Sequence, residues 1–395
     1  MQSLLFTPID LRGVRLRNRI VVAPMLTYAA ENGYAQDIHT IHYGKLAYGG
    51  AGLVMVESTK ADPRGASTPR DLGIWKDDFL PGLTKIAETI KTYGAAAGIQ
   101  LGHSGRKARR SVPWEGREPL ASHPGLDRGE EWELVAPSEI AHSNGWFMPR
   151  ALSIADIEEL IEGYGIATER VMKAGFDVLE IHGAHGYLMH QFLSPIANQR
   201  TDKYGGSDEN RMRFALEVVD RVRESWPEDK PLFLRVSAVD EGGWTVADSA
   251  RVARAIKAHG VDVIDCSSGG MTPGGSVVTS GGPARYGYQV PYAEYIRKHA
   301  DVMTMAVGLI IHADQAEAIL QSGQADLVAL GREMLNNPNW PMDAATKLGI
   351  EDPYSMVPPL YAYYLQKRTQ ADFGGRPSTW RESIETAWAA SDNTD

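Results

Sequence analysis

The chain has 395 residues, 43% apolar and 23% charged, with a net charge of -10, a composition that gives a globular protein ample material for a core. The acidic balance argues against a nucleic-acid partner, no apolar run reaches the length of a membrane span, and the opening residues 1–8 lack a secretory layout, so a cytoplasmic location is expected. Cys266 is the single cysteine, which excludes an intrachain disulfide, a four-cysteine zinc site and a cysteine-bound iron–sulfur cluster; its apolar surroundings predict a core thiol.

In chain order, short apolar runs alternate with longer amphipathic ones, the pattern of repeated βα units. The predicted strands are Arg19 to Met25, Gly52 to Glu57, Ala97 to Leu101, Val178 to His182, Leu232 to Val236, Val263 to Ser267, Val302 to Val307 and Leu327 to Leu330. Helical patterns lie between them, among them Leu80 to Thr92, Ser153 to Ala174, Asn210 to Ser225, Thr245 to Ala258 and Ala313 to Ser322. Ser153 with Asp156 reads as a capping box, and Gly175 and Gly323 as left-handed caps. The Gly49 to Gly52 cluster precedes a strand, so it reads as a helix-stop turn and not as a dinucleotide fingerprint. Eight units without a large interruption favour an α/β architecture of the closed (β/α)8 TIM-barrel type over an open sheet.

Residues 1–365 are expected to form this single barrel, and residues 366–395 a C-terminal extension, an extra helix or a loose end. Between the third strand and its helix, His103 to Arg150 carries Pro113, Trp114, Gly116, Trp132 and Pro149, which predicts an irregular lid or a small hairpin over the mouth.

The chemistry concentrates at the exit of the fourth predicted strand, where His182, His185 and Tyr187 follow one another. These side chains donate hydrogen bonds without net charge, which suits polarising a carbonyl and delivering a proton. The histidine spacing also permits a metal pair, although Gly183 and Gly186 break a helix and no third ligand is evident, so a metal-dependent barrel lyase or hydrolase stays open. Gln100 and Arg235 close the third and fifth strands and would reach the same mouth, fitting a ring with carbonyl and N–H edges that becomes anionic on reduction, such as a flavin. Arg235 can alternatively pair with an acid such as Asp240 or Glu241. The seventh and eighth strand exits, with Val307, Gly308, Leu309, Gly331 and Arg332, offer the usual phosphate site of this fold.

These pieces together resemble the Old Yellow Enzyme flavin oxidoreductases, within them the YqjM and xenobiotic reductase branch. The likeness rests on Leu16-Arg-Asn18-Arg19-Ile, on Ala23-Pro24-Met25, on Gln100-Leu-Gly-His103-Ser-Gly-Arg106-Lys107, and on the histidine stretch. It continues through a dense run containing Asn198, Arg200, Asp202, Tyr204, Asn210, Arg211 and Arg213, where loop-locking roles are expected.

The resemblance implies noncovalent FMN, NADPH or NADH as reductant, and hydride transfer to an activated alkene. Pro24, Met25, Gln100, Arg235, Val307, Gly308, Leu309, Gly331 and Arg332 would hold FMN. His182 and His185 would bind the substrate oxygen, Tyr187 would protonate the α carbon, and Tyr28 would line the pocket. Leu26 stands beside the flavin where relatives carry Cys or Thr, which implies a lower flavin potential, and Val307 stands where xenobiotic reductases carry Trp, which implies a wider pocket. The Pro358 to Tyr364 segment resembles one that relatives insert into a neighbouring subunit's active site, implying a homodimer or homotetramer and a substrate-lining role for Tyr364. The reverse reaction, an FMN-dependent dehydrogenase or desaturase, is the alternative within the family.

Overall fold

In this computed structural model the described residues are 3–120, 132–274 and 285–371. The chain opens with two three-residue strands, β1 (Ile9–Leu11) and β2 (Val14–Leu16), paired antiparallel across Arg12 and Gly13. Arg12 is left-handed at φ 51°, and a Cβ on Gly13 would lie 2.9 Å from the Asp229 carbonyl, so this turn needs glycine where it touches the loop before β9.

The barrel follows as β3 (Ile20–Val22), β4 (Leu53–Lys60) and β5 (Ala96–Gly102), then, after the short strands β6 (Val135–Ala136) and β7 (Arg150–Ala151), as β8 (Val178–Gly183), β9 (Leu232–Ser237), β10 (Val263–Ser267), β11 (Met303–Val307) and β12 (Leu327–Leu330). All eight barrel strands pair in parallel, and β12 closes on β3. The first is shorter than its apolar run. Ala23 still donates to Leu330, but Pro24 has no N–H to continue the ladder. β4 is longer than predicted, with a register shift between Val56 and Ser58.

Around the barrel run α1 (Asp37–Tyr48), α2 (Leu80–Thr92), α3 (Ile154–Lys173), α4 (Leu188–Leu193), α5 (Asp208–Ser225), α6 (Val246–Ala258), α7 (Val290–Ala300), α8 (Ala313–Gln321), α9 (Arg332–Asn336), α10 (Trp340–Lys347) and α11 (Pro359–Gln370). The Ser153–Asp156 capping box forms, and Gly175 and Gly323 take left-handed φ of 85° and 71°. The expected boundary between residues 365 and 366 falls inside α11, and residues 372–395 lie outside the described residues.

Two large apolar bodies hold the barrel, and a small third one of Met342, Tyr354 and Val357 lies under the last helices. The largest fills the space between strands and helices. The second fills the barrel's interior with Val21, Leu53, Met55, Val178, Phe233, Val263, Met305 and Leu327, and Leu11 and Leu16 of the hairpin close it from the amino-terminal side. Each fully buried aliphatic contributes about 1.5–3 kcal/mol, so the floor is a packed plug and not a pore.

The segment after β5 is irregular, as expected, with single 3-10 turns at Gly105–Lys107 and Pro113–Glu115. The small hairpin is not what forms: β6 and β7 pair in parallel, Val135 with Arg150, so the intervening chain crosses over where a hairpin would double back. Residues 121–131 of this segment lie outside the described residues.

Candidate active site

Strand alternation builds the site in two tiers at the carboxyl ends of the strands. The lower tier is a buried polar layer in which Gln100, Glu180, Arg235 and Asp265 all point inward. Gln100 Nε2 donates to Glu180 Oε1 at 2.6 Å, across the register pair that joins β5 to β8. Arg235 Nε stands 3.1 Å from Asp265 Oδ2 on the neighbouring strand. That acid partner is therefore Asp265, and neither Asp240 nor Glu241. Asp240 faces His190 at 3.2 Å, and Glu241 accepts from the backbone of Gly270, Met271 and Thr272. Two carboxyls share one guanidinium, and burial together with the charge of Asp265 pushes the Glu180 carboxyl up to about 8.

The upper tier carries the predicted catalytic side chains. His182 meets His185 edge to face with centroids 5.1 Å apart, and Tyr187 at 4.9 Å. Burial holds both imidazoles well below the ordinary histidine range, helped at His182 by His185 and at both by Arg235, so they are neutral at physiological pH. His182 Nδ1 accepts from Ala184 N at 3.2 Å, which places its hydrogen on Nε2. His185 sits at φ 58°, an uncommon conformation for a residue with a Cβ, and its Nε2 lies 2.7 Å from Ser267 Oγ. Ser267 in turn reaches Gln289, whose amide donates to the Val307 carbonyl. Neither Ser267 nor Gln289 was singled out from sequence, since an isolated serine at a strand exit or glutamine at a helix start carries no spacing signal.

The loop after β3 is pinned from behind. Thr27 donates to Glu57 through its backbone and, at 2.7 Å, through its hydroxyl; Glu57 also faces His39 of α1 at 3.2 Å with both side chains fully buried. This fixes the stretch that carries Pro24, Met25, Leu26 and Tyr28, all partly buried at the mouth. Tyr28 has a left-handed φ of 54° and packs edge to face on Trp114 of the lid. Burial and Tyr187 raise its phenol.

A cavity of about 430 Å³ brings together Pro24, Met25, Arg235, Val307, Gly308, Leu309, Gly331 and Arg332, with Tyr288 and Gln289 beside them. Gly308, at φ 115°, has no room for a Cβ, which would meet Gln289 Nε2 at 2.7 Å. Volume, backbone exposure and one cation at its rim suit a phosphorylated side arm, and the Arg235 guanidinium, which lines the same cavity, suits the anionic edge of a flavin ring. The residues present thus fit FMN. Leu26 and Gln100 do not line this cavity. Tyr364 does not meet this site either: it is exposed on α11, whose Tyr361 packs on Tyr48 at the end of α1.

A second set of residues at the mouth was not read from sequence. Lys60 ends the apolar β4 fully buried, and Arg106, Lys107 and Arg110 fold from the lid over the loops after β8 and β10. The signal for them was present as four basic residues within Arg106 to Arg110 of a segment otherwise read as a lid.

Comparison with known proteins agrees with this geometry. Residues 4–351 match the NADH:flavin oxidoreductase / NADH oxidase family. An NADPH dehydrogenase of Geobacillus sp. (strain WCH70) is 45% identical over 353 residues, 88% of this chain and 96% of the relative. One from Halalkalibacterium halodurans is 43% identical, again over 88% and 96%. Among solved structures, morphinone reductase superposes with a TM-score of 0.72 at 28% identity, covering 88% of this chain and 90% of its own. A 2-naphthoyl-CoA reductase complex gives 0.78 at 25% identity over 90% of this chain, which spans about half, 53%, of that longer protein. The barrel, the cavity at its carboxyl end and these matches place the chain in the NADH:flavin oxidoreductase / NADH oxidase family, the family of Old Yellow Enzyme.

Proposed function

We propose that this FMN-dependent, NAD(P)H-oxidising enzyme is a cytoplasmic ene-reductase that reduces the activated C=C bond of α,β-unsaturated carbonyl or nitro compounds. The observation that carries the reading is the edge-to-face cluster of His182, His185 and Tyr187, with both imidazoles uncharged, directly above the Arg235 layer. FMN, when bound, supplies the two-electron step, taking hydride from NAD(P)H and passing it to the alkene.

The side chains do the rest. His182 and His185 donate N–H hydrogen bonds to the substrate oxygen and stabilise negative charge as it develops there. Their neutrality matters: an imidazolium would hold an anion in the ground state as well as in the transition state. Tyr187 delivers a proton to the α carbon, opposite the incoming hydride. Arg235 and the loops at Gly308 and Gly331 would hold the cofactor. Val307, a modest side chain on the wall of the cavity that Arg235 also lines, leaves room for bulky enones.

The enzyme acts as a homo-oligomer in this reading. Leu360, Tyr361, Tyr363 and Tyr364 of α11 are 51–71% exposed, an aromatic surface that a second copy would cover and that would bring Tyr364 to the neighbour's substrate.

The test is a pair of anaerobic half-reactions. The yellow holoenzyme should bleach with NADPH or NADH and recover its colour on mixing with cyclohexenone or a nitroalkene, and larger enones should be accepted as readily as small ones. Bleaching with no recovery by any member of such a panel would overturn the reading.

A further inference from the structure

Arg110 lies three residues past the Gly105–Lys107 turn and is 9% exposed. Its Nη2 donates to the phenolic oxygen of Tyr187 at 3.2 Å. Two more cations face that ring, Lys60 Nζ and Lys107 Nζ, each 5.6 Å from its centroid. The three are not equivalent. Lys60 is held by Asp71 at 3.5 Å and Ser58 at 3.0 Å, and Lys107 spends itself on the carbonyls of His185 and Gly270 at 2.8 and 2.9 Å. Arg110 has no carboxylate within ion-pair distance among the described residues, and its recorded partner is the phenol.

A guanidinium donates and never accepts, so the Tyr187 oxygen receives a hydrogen from Arg110 and its own hydrogen points elsewhere. The other groups around the ring are His182, in edge contact at 4.9 Å, and Tyr28. We propose that Arg110 is a positioning residue for proton delivery: it turns the Tyr187 O–H toward the substrate's α carbon and, with Lys60 and Lys107, holds the phenolate oxygen left behind. This rests on the reading of Tyr187 as the proton donor. In the step, the Tyr187 O–H bond breaks and a C–H bond forms at the α carbon. The O–H electron pair stays on the phenolate, and a solvent proton later restores the phenol. The hydride at the β carbon comes from the reduced cofactor. A buried phenolate with no cation beside it would be costly; here a charge-assisted hydrogen bond already stands in place before the proton leaves.

The experiment compares single-turnover reoxidation of the reduced holoenzyme by an enone, which needs a proton on carbon, and by a quinone, whose product takes protons on oxygen from water. Arg110→Ala is expected to lower the enone-to-quinone rate ratio by about tenfold or more, with a larger solvent deuterium isotope effect on the enone step and little change in enone affinity. With a 2-methyl enone in D2O, the stereochemistry of labelling at the α carbon should loosen. Arg110→Lys, which keeps a donor and a charge, should recover most of the ratio and guards against a misfolded alanine variant. If Tyr187→Phe selectively slows the enone step but neither Arg110 variant does, the assignment of Arg110 is overturned while the donor stands. If Tyr187→Phe leaves the enone step untouched, the donor reading falls and Arg110 with it.

Discussion

The two stretches that most plainly mark the family, residues 182–187 and residues 198–213, are almost contiguous in sequence and serve opposite purposes. The first puts His182, His185 and Tyr187 around one opening; Ala184, Ser267 and Arg110 each engage one of their polar atoms, but His182 Nε2 and His185 Nδ1 make no hydrogen bond among the described residues. The second spends nearly every polar atom on its neighbours. Asn198 donates to the carbonyls of Phe192 and Tyr204, Arg200 to those of Pro137 and Leu152 and to Asp202, and Arg211 to those of Leu193 and Gly206. A run rich in charged residues can thus be as distinctive as an active site and contain none of the chemistry. What separates the two is whether hydrogen-bonding capacity is left over for a ligand.

The sharpest way to break this contrast is to remove one group from each stretch. Tyr187→Phe should lower enone turnover by about 10²-fold, measured on folded protein, with thermal unfolding little changed. Arg200→Met should do the reverse, costing about 3 kcal/mol in urea unfolding while activity per folded molecule persists, because buried carbonyls lose their donor. An Arg200 variant that unfolds normally yet is inactive would show that the partition is wrong.

The stretches should also answer pH with opposite signs. Asp202 is held below the ordinary carboxylate range by Arg200, so its contribution is present above the unfolded carboxylate pKa and is lost as the solution turns acid. Glu180, two residues before His182, has a carboxyl raised to about 8, chiefly by burial and then by Asp265. Its native form keeps a proton that the unfolded chain releases, so that contribution is complete below the unfolded pKa and disappears as pH rises through 8. Glu180→Gln should therefore flatten the fall in the urea midpoint between about pH 4.5 and 8, and an unchanged profile would exclude Glu180 as its source.

The smallest expected effect concerns the loop before the histidines' partner site. Leu26 offers the cofactor ring no hydrogen, and Leu26→Cys should raise the measured flavin potential by about 30 mV, the equivalent of one modest hydrogen bond. No shift would mean that this position does not touch the ring's carbonyl edge.

Much of the fold was legible because each barrel strand is a short buried run, and Gln100 and Arg235, read as closing their strands at the mouth, lie in the buried layer just beneath it. α1 was not read, since Ile38 and Ile41 face solvent while His39, Tyr43 and Leu46 face inward, leaving no clean apolar stripe. The opening hairpin was too short to show periodicity. At the site, sequence proximity suggested Asp240 or Glu241 as the acid for Arg235, whereas parallel pairing sets Asp265 directly opposite it. Lys60, Ser267 and Arg110 escaped notice for the same reason: their partners come from other strands or from the lid, and a single chain order does not reveal which side chains converge.

Leu11 and Leu16, fully buried in the floor of the barrel, have a consequence for traffic. With the lower end stoppered, a ligand can approach the barrel's interior only from the carboxyl ends of the strands, so in the proposed reaction nicotinamide and alkene would share one entrance. The hairpin, far from any reacting atom, would thereby place both half-reactions of the proposed function at one side of the barrel.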